Sequence, residues 1–593
     1  MKNGFSVLEV ILAAAIFMIF STGAVIVVVQ SYNANRLGAE NSVAAQFAAE
    51  GIEAAKSIKN QNFSLLNSDA YLAGTGLIRN GTGVWQFEGD NTSDVLTHNS
   101  SDDYTRVIRI GKTYRINGNI VESGGTEDPD TKKITSTVTW NFNSARPETT
   151  SLVTYFSDWR KPIPTDRGGI LVYGDGETSS DAIKYKILDT AGTWSAAQST
   201  ADIDTGSTNK ALRAARVYAS STRNEKILLS RHYNGTQQFI YAQVYNGSTW
   251  GSVQALSSWT ATTFLDVQNF DGTYLSNGNF MAVYSDNTTT PKYRIWNGSS
   301  WSPASLSTAN VGGIPNFVIA KVRPETAEVM MATYDQAKDS NTAYFNGSSW
   351  SATTQHASNA PVNTKKHLDF AWSPNSPFKG ALIYSASASD TGMNLKIWTA
   401  NGTGGGSWSA ERNAPNQGVL GATDIDGRLS ANEFLACNKN ANNDIYCFRS
   451  DLTPAWSTPI NNILTTTTDT GIQRSFDYSY EAVTGSEGLA VYSNNTATPQ
   501  YKLYDATSNS FGSETQLTTA LGGTVKTVVL APLVENDDVM VLMADSLNDL
   551  FSIVWNGTAN TVYTTPSGKG RSTHGTSGSD NTDFWYDFAW DKY

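Results

Sequence analysis

Charge and sulfur are both scarce in this sequence. Only 16% of its 593 residues are Asp, Glu, Lys or Arg, and it has two cysteines and five histidines (98, 232, 356, 367 and 574). No CxxC, HExxH or other metal-ligand spacing occurs, so no metal site is expected. The formal net charge is −12 and no long run of Lys and Arg is present. Nucleic acid is therefore not an expected partner, because tracking a phosphate backbone takes a basic stripe. "DGETSSD" (175–181), "DIDTG" (202–206) and "DIDG" (424–427) are acidic enough to attract calcium. None completes a twelve-residue calcium loop, and they read as turns. No nucleophile–base arrangement stands out, so neither an enzyme nor a cofactor is expected.

Glycine and aromatics are plentiful: 48 Gly, 26 Tyr, 23 Phe and 16 Trp. That mixture suits many short strands joined by tight turns, and the length suits more than one domain.

The N-terminus departs from this composition. Residues 10 to 29 carry no charge and are rich in Val, Ile, Ala and Phe. As a helix such a run rises roughly 30 Å, about one hydrocarbon thickness. It continues without proline into "QSYNANRLGAENSVAAQFAAEGIEAAKSIKNQNF", which predicts one helix over 5–60, half in the membrane and half outside it. Glu9 sits inside the first turns of the apolar segment, where an unpaired charge is costly.

The leader "MKNG" (1–4), the Gly4–Phe5 junction and Glu9 at the fifth position of the apolar segment together resemble type IV prepilins and pseudopilins. The resemblance implies that a prepilin peptidase cuts between Gly4 and Phe5 and methylates the new N-terminus. It also implies that Glu9 pairs with the freed amino group of a neighbouring pilin subunit, which neutralises the buried charge and fixes register. The bland alternative is a signal anchor that carries a Glu near one end. Residues 61–160 read as a small α+β head, with alternating strands at 104–116, 133–143 and 149–160. The ending "VTW…SLVTYFSDW" is similar to the C-terminal sheet of minor pilins.

After a linker at 161–167, one apolar segment recurs eight times over 168–593: "GGILVYG", "EKILLSR", "GNFMAVYS", "AEVMMATY", "KGALIYS", "NEFLACN", "EGLAVYS" and "DDVMVLM". A spacing near 50 residues with three or four strands per unit predicts an all-β propeller of eight blades, or seven with one irregular unit outside the ring. "DFAWDKY" (587–593) repeats "DFAWSPN" (369–375), so the last strand is expected to complete the first blade and close the ring. Asn-Gly in "YNGSTW", "WNGSSW" and "FNGSSW" marks hairpins, since both turn positions of the tightest type take positive φ. These segments resemble the Asp-box turns of sialidase-type propellers but lack the Asp.

A Trp recurs once per unit (194, 250, 301, 350, 408 and 456, with Phe511 in the seventh), and core packing between blades is its expected role. Cys437 and Cys447 fall on successive strands of the sixth unit, within disulfide reach in a non-cytoplasmic head. The resemblance implies a minor pilin or pseudopilin, placed first in the cytoplasmic membrane and then in a surface filament. The propeller would be displayed for adhesion, to a surface glycan or a receptor on another cell. A pseudopilin of a secretion or DNA-uptake machine, and a pilus-tethered glycan-acting enzyme, are the alternatives.

Overall fold

The computed structural model describes residues 6–592 except 62, 68–69, 72, 82, 99–101, 117–118, 122–125, 145, 158–167, 175–182, 191, 204–209, 262–266, 304, 362–363, 374–377, 402–403, 429–430, 453–454, 470–473, 483–486, 519, 535–536, 556–561, 564–571 and 574–583. The chain divides into two compact units, Met1–Pro162 and Ile163–Tyr593. The proposed linker 161–167 and the acidic segment 175–181 lie outside the described residues, as do 204–206.

The first unit is built on one helix, Val7–Gln61, unbroken over 55 residues. Its first half meets no protein: Phe17, Ile19 and Phe20 are more than 70% exposed. Its second half buries Glu40, Ala44, Ala48, Gly51, Ala54, Ala55 and Ile58, a stripe of mostly small residues at helical spacing. The stripe lies on an antiparallel sheet in the order Asp94–His98, Asp102–Ile116, Thr126–Asn143 and Arg146–Ser157. Gly51 is needed for this approach, because a Cβ there would stand 2.5 Å from Ser136 Oγ and 2.9 Å from the Ile108 side chain. Buried Arg106 donates to Asp94 at 2.6 Å and to the Phe47 carbonyl at 2.9 Å, and Trp140 Nε1 donates to Glu40 at 3.0 Å. Helix and sheet are thus tied by satisfied charges as well as by packing. The last strand begins three residues before the expected 149 and runs to Ser157, and 158–160 lie outside the described residues.

The second unit is a propeller. Among the described residues it holds eight antiparallel sheets of four or five strands. The eight recurring segments each form the second strand of one sheet, from Gly169–Tyr173 to Val539–Asp545. The innermost strands are, in ring order, Tyr586–Trp590, Ala211–Ala219, Phe270–Tyr274, Pro315–Val322, Leu368–Trp372, Leu420–Gly427, Phe476–Tyr480 and Val525–Pro532. Each lies beside the next, and the last lies beside the first. The C-terminal strand Tyr586–Trp590 pairs with Gly169–Tyr173 and completes the first sheet, as expected.

The sheets alternate in kind. Inner strands of the first, third, fifth and seventh are straight and five residues long, with Asp at the second position: Asp587, Asp271, Asp369 and Asp477. Those of the other four are longer and carry a bulge at the same place, at Leu212/Ala214, Pro315/Phe317, Leu420/Ala422 and Val525/Thr527. In the odd sheets an aromatic ring lies across a glycine. Phe588 covers Gly169, Phe370 covers Gly380 and Tyr478 covers Gly488; a Cβ on any of these glycines would fall 2.0–2.3 Å from the ring or its hydroxyl. In the third sheet the pair is exchanged: the inner strand has Gly272 and the second strand has Phe280.

The recurrent Trp residues make two kinds of ring contact. Trp250 and Trp350 do pack across sheets, on Tyr185 and Tyr293 at 5.8 and 5.9 Å. Trp408 does so too, edge-on to His356 at 4.9 Å. Trp194, Trp301 and Trp408 cover an aromatic of their own sheet, Phe588, Phe280 and Phe370. The Asn-Gly turns also differ from expectation. Only the glycines, Gly247, Gly298 and Gly347, have positive φ. The preceding Asn side chains accept backbone N–H bonds two and three residues on, at 2.8–3.0 Å, so these are Asx turns rather than paired left-handed residues. Cys437 and Cys447 face each other on neighbouring strands and form a disulfide.

The exchanged pair predicts a rescue. Gly380→Phe alone drives a ring into Phe370, and Phe370→Gly alone opens a void costing about 3–5 kcal/mol. The double variant rebuilds the arrangement of the third sheet and should recover most of that loss in thermal unfolding. Additive losses would show that the two positions do not share one space.

Candidate functional site

Closing strands into a ring leaves the N–H groups of each inner edge facing an axis rather than a partner. The odd-sheet aspartates meet that need. Asp587, Asp271 and Asp477 each accept a backbone N–H from the following sheet, from Val217 at 3.0 Å, Ala320 at 2.9 Å and Leu530 at 2.7 Å. Asp369 is held differently, by Lys366 Nζ at 2.6 Å. Backbone bonds fix the same four junctions: Ala215, Val318, Thr423 and Val528 donate to the carbonyls of Phe584, Gln268, Lys366 and Arg474 at 2.6–3.0 Å. The intervening junctions use other groups. Trp590 and Trp372 donate to the carbonyls of Ala531 and Lys321, and Tyr274 and Tyr480 donate to Glu225 and Glu433.

Inside this ring lies a cavity of about 320 Å³, the lower end of the roughly 300–1,000 Å³ common for small-molecule sites. Every sheet contributes from its inner strand, the first through Asp587 and Phe588. The charged groups are unevenly distributed. Arg216 faces Asp587 at 3.3 Å and donates to Gln268 at 2.9 Å. Arg474 has its guanidinium over the Phe584 ring, 5.6 Å from the centroid, and its Nη1 is buried with no hydrogen-bond partner among the described residues. Burial, and then the charge of Arg216, oppose the Arg474 cation. Asp424 and Asp426 both belong to the sixth sheet. Burial, then Asp477 and Asp369, push the Asp424 carboxyl well above the usual carboxylate range. Burial raises Asp426 to about 6 against the backbone N–H bonds of Tyr480 and Gly427. Burial also raises Asp477, and Arg474 works in the other direction.

The segment 424–427 is therefore inner strand, not the acidic turn its composition suggested. Its side-chain placement could not be read from residue type alone. The signal that could have found it is alignment of the even units, where Asp424 stands in place of Arg216, Ile319 and Val529. Of the residues singled out at the N-terminus, Gly4 and Phe5 lie outside the described residues. Glu9 is exposed and accepts the Ser6 backbone N–H at 3.0 Å, while Ser6 Oγ accepts the Leu8 N–H at 3.2 Å. That reciprocal pair is a capping box, and it starts the helix.

No family model matches this chain, and no curated protein does. Among solved structures, the BP39L lectin from Burkholderia pseudomallei aligns at a TM-score of 0.43 with 9% identity, over 59% of this chain and 98% of that one. The Aleuria aurantia lectin AAL aligns at 0.32 with 13% identity, over 53% and 98%. The dihydro-heme d1 dehydrogenase NirN aligns at 0.41 with 12% identity, over 69% and 74%. Lectins and a dehydrogenase thus stand side by side, and at these scores none bears on the chemistry of the cavity.

The buried titrating groups set a pH dependence. Folded Asp335 and Asp426 keep protons up to about pH 6, whereas unfolded they release them near 3.8. Asp424 and Asp477 shift in the same direction. Their contribution is complete below 3.8 and is lost as pH rises through 6. His232 and His356 oppose this: folded they stay neutral down to about 4 and 3, because burial disfavours the charge, so stability falls below pH 6.5. The raised carboxylates, Asp339 among them, outnumber the two lowered imidazoles, and acidification also relieves a net charge of −12. The propeller's thermal unfolding midpoint should be as high at pH 5 as at pH 7.5, or higher. A fall of several degrees at pH 5 would contradict this balance.

Proposed function

We propose that this chain is a type IV pilin-like subunit that assembles into a surface filament through its N-terminal helix and displays the propeller as a ligand-binding head. The observation that carries the reading is the division of one unbroken helix. Its first half is apolar and bare, long enough to cross a membrane, and its second half is buried on an antiparallel sheet. A bare apolar half-helix needs lipid before assembly and neighbouring helices after it. The Gly4–Phe5 junction and Glu9 supply the processing site and the assembly charge that such a life requires. A propeller of more than 400 residues on each subunit would crowd a filament made of this chain alone, so sparse or tip incorporation fits best. The axial cavity, with charged groups beyond those that tie the ring together, supports a binding head.

Glu9 has two candidate roles, cap and assembly charge, and two variants separate them. Glu9→Ala removes both. Glu9→Gln keeps a side chain able to complete the capping box and removes the charge. Immunogold labelling of filaments with an antibody to the propeller should be lost or strongly reduced in both variants. Mass spectrometry of the same preparations should find an N-terminus at Phe5 bearing a methyl group. Normal filament labelling in Glu9→Gln would leave Glu9 as a helix cap only. Label spread over the envelope on an uncleaved chain would replace the pilin reading with a membrane-anchored propeller.

A further inference from the structure

The ring carries its own internal comparison. Four junctions share one backbone geometry, so residues at matched positions can be read against one another. Two residues before the start of each straight strand stand Phe584, Gln268, Lys366 and Arg474, whose carbonyls take equivalent bonds. At the matched position of the bulged strands stand Arg216, Ile319, Asp424 and Val529. Residues needed for ring closure recur: the second-position Asp is present in all four straight strands. Arg474 and Asp424 do not recur. Lys366 and Arg216 also put a cation at these two positions, but Phe584 and Gln268 at the one, and Ile319 and Val529 at the other, show that the fold does not need a charge at either.

Both face the axial cavity, and both are incompletely used by the protein. Among the described residues the Arg474 Nη1 is buried without a hydrogen-bond partner, a costly state for a guanidinium donor. The Asp424 carboxyl is half-buried and makes no hydrogen bond among the described residues. The charges around them differ in sign. Arg216 is the first charge acting on Arg474, so two guanidinium groups neighbour each other on that side. Asp477 and Asp369 are the first charges acting on Asp424.

We propose that the axial cavity binds a carboxylate-bearing sugar residue, with Arg474 receiving the carboxylate and Asp424 bonding to ring hydroxyls. Guanidinium is the side chain best matched to a carboxylate, since it donates two parallel N–H bonds. The opposite wall discriminates between hydroxyls and amines. A carboxyl that stays neutral can donate to or accept from a hydroxyl, whereas an ammonium group calls for a carboxylate. Asp424 is held toward the neutral form by its surroundings. The cavity volume of about 320 Å³ has room for one sugar ring with its substituents, not for an oligosaccharide. The site would then read a terminal acidic residue of a glycan. This inference rests on the reading of the propeller as a binding head.

The test is isothermal titration of the full chain in detergent micelles with D-glucuronate and N-acetylneuraminate, beside D-glucose and L-glutamate. At least one acidic sugar should bind saturably, and glucose and glutamate should bind at least tenfold more weakly. Arg474→Gln and Asp424→Ile should each weaken the acidic sugar at least tenfold. Because Gln268 and Ile319 already occupy the matched places, both variants should keep the wild-type unfolding temperature. Glucose binding as tightly as glucuronate, glutamate binding better, or unchanged affinity in Arg474→Gln would overturn the ligand class while leaving a binding head in place. Binding of none of the four probes would overturn the class and remove the cavity's support for the head.

Discussion

The ring depends on how its inner edge is satisfied. A propeller blade has two edges, and the inner one faces an axis where other strands lie too obliquely to pair along their length. An unmet backbone N–H there costs as much as a lost hydrogen bond. Asp587, Asp271 and Asp477 solve this by reaching across a junction to a single N–H of the next sheet while also accepting nearby donors. A charged acceptor contributes about 1.5–3 kcal/mol per bond, more than a neutral one. The raised pKa of Asp477 records the cost of placing that charge at the axis.

One consequence is that the structural unit is two sheets. At three junctions a straight strand supplies the carboxylate and a bulged strand supplies the N–H that meets it. The bulge recurs at the same register in all four longer strands, three of which give the N–H that an aspartate accepts. A second level lies above this one. The straight strands of the first and fifth sheets end in Trp, bonded to a carbonyl of the preceding sheet. Those of the third and seventh end in Tyr, bonded to a glutamate there. Within that scheme the exchange of glycine and aromatic in the third sheet conserves the filled space while swapping which strand supplies it.

Much of this was legible in the sequence, for identifiable reasons. The second strand of each sheet is buried on both faces, so it reads as a continuous apolar run, and all eight were found that way. The closing strand was legible because Asp587 to Trp590 copies Asp369 to Trp372. The long helix to Gln61 followed from the absence of proline and the run of Ala. The inner strands were harder. They mix apolar residues with Asp, Arg and Lys because one face packs and the other lines a polar axis, and "DIDG" then looks like a turn. The Asn-Gly turns were placed correctly but given the wrong geometry, since Asn can act through its side chain as well as through its backbone.

The same logic separates what holds this molecule together from what it offers to others. A ring of near-repeats places equivalent demands at equivalent positions, so a residue required by the architecture should be present in every copy. Asp587, Asp271, Asp369 and Asp477 pass that criterion. Arg474 and Asp424 fail it, and each carries a burden that its counterparts avoid: a buried donor with no partner among the described residues in one case, a carboxyl forced toward its neutral form in the other. Uncharged side chains fill two of the three matched places in each set, Phe584 and Gln268 in one and Ile319 and Val529 in the other, so the burden is not imposed by packing. Charge kept where the fold does not need it, facing a cavity of small-molecule size, is best accounted for by something that enters the cavity and pairs with it.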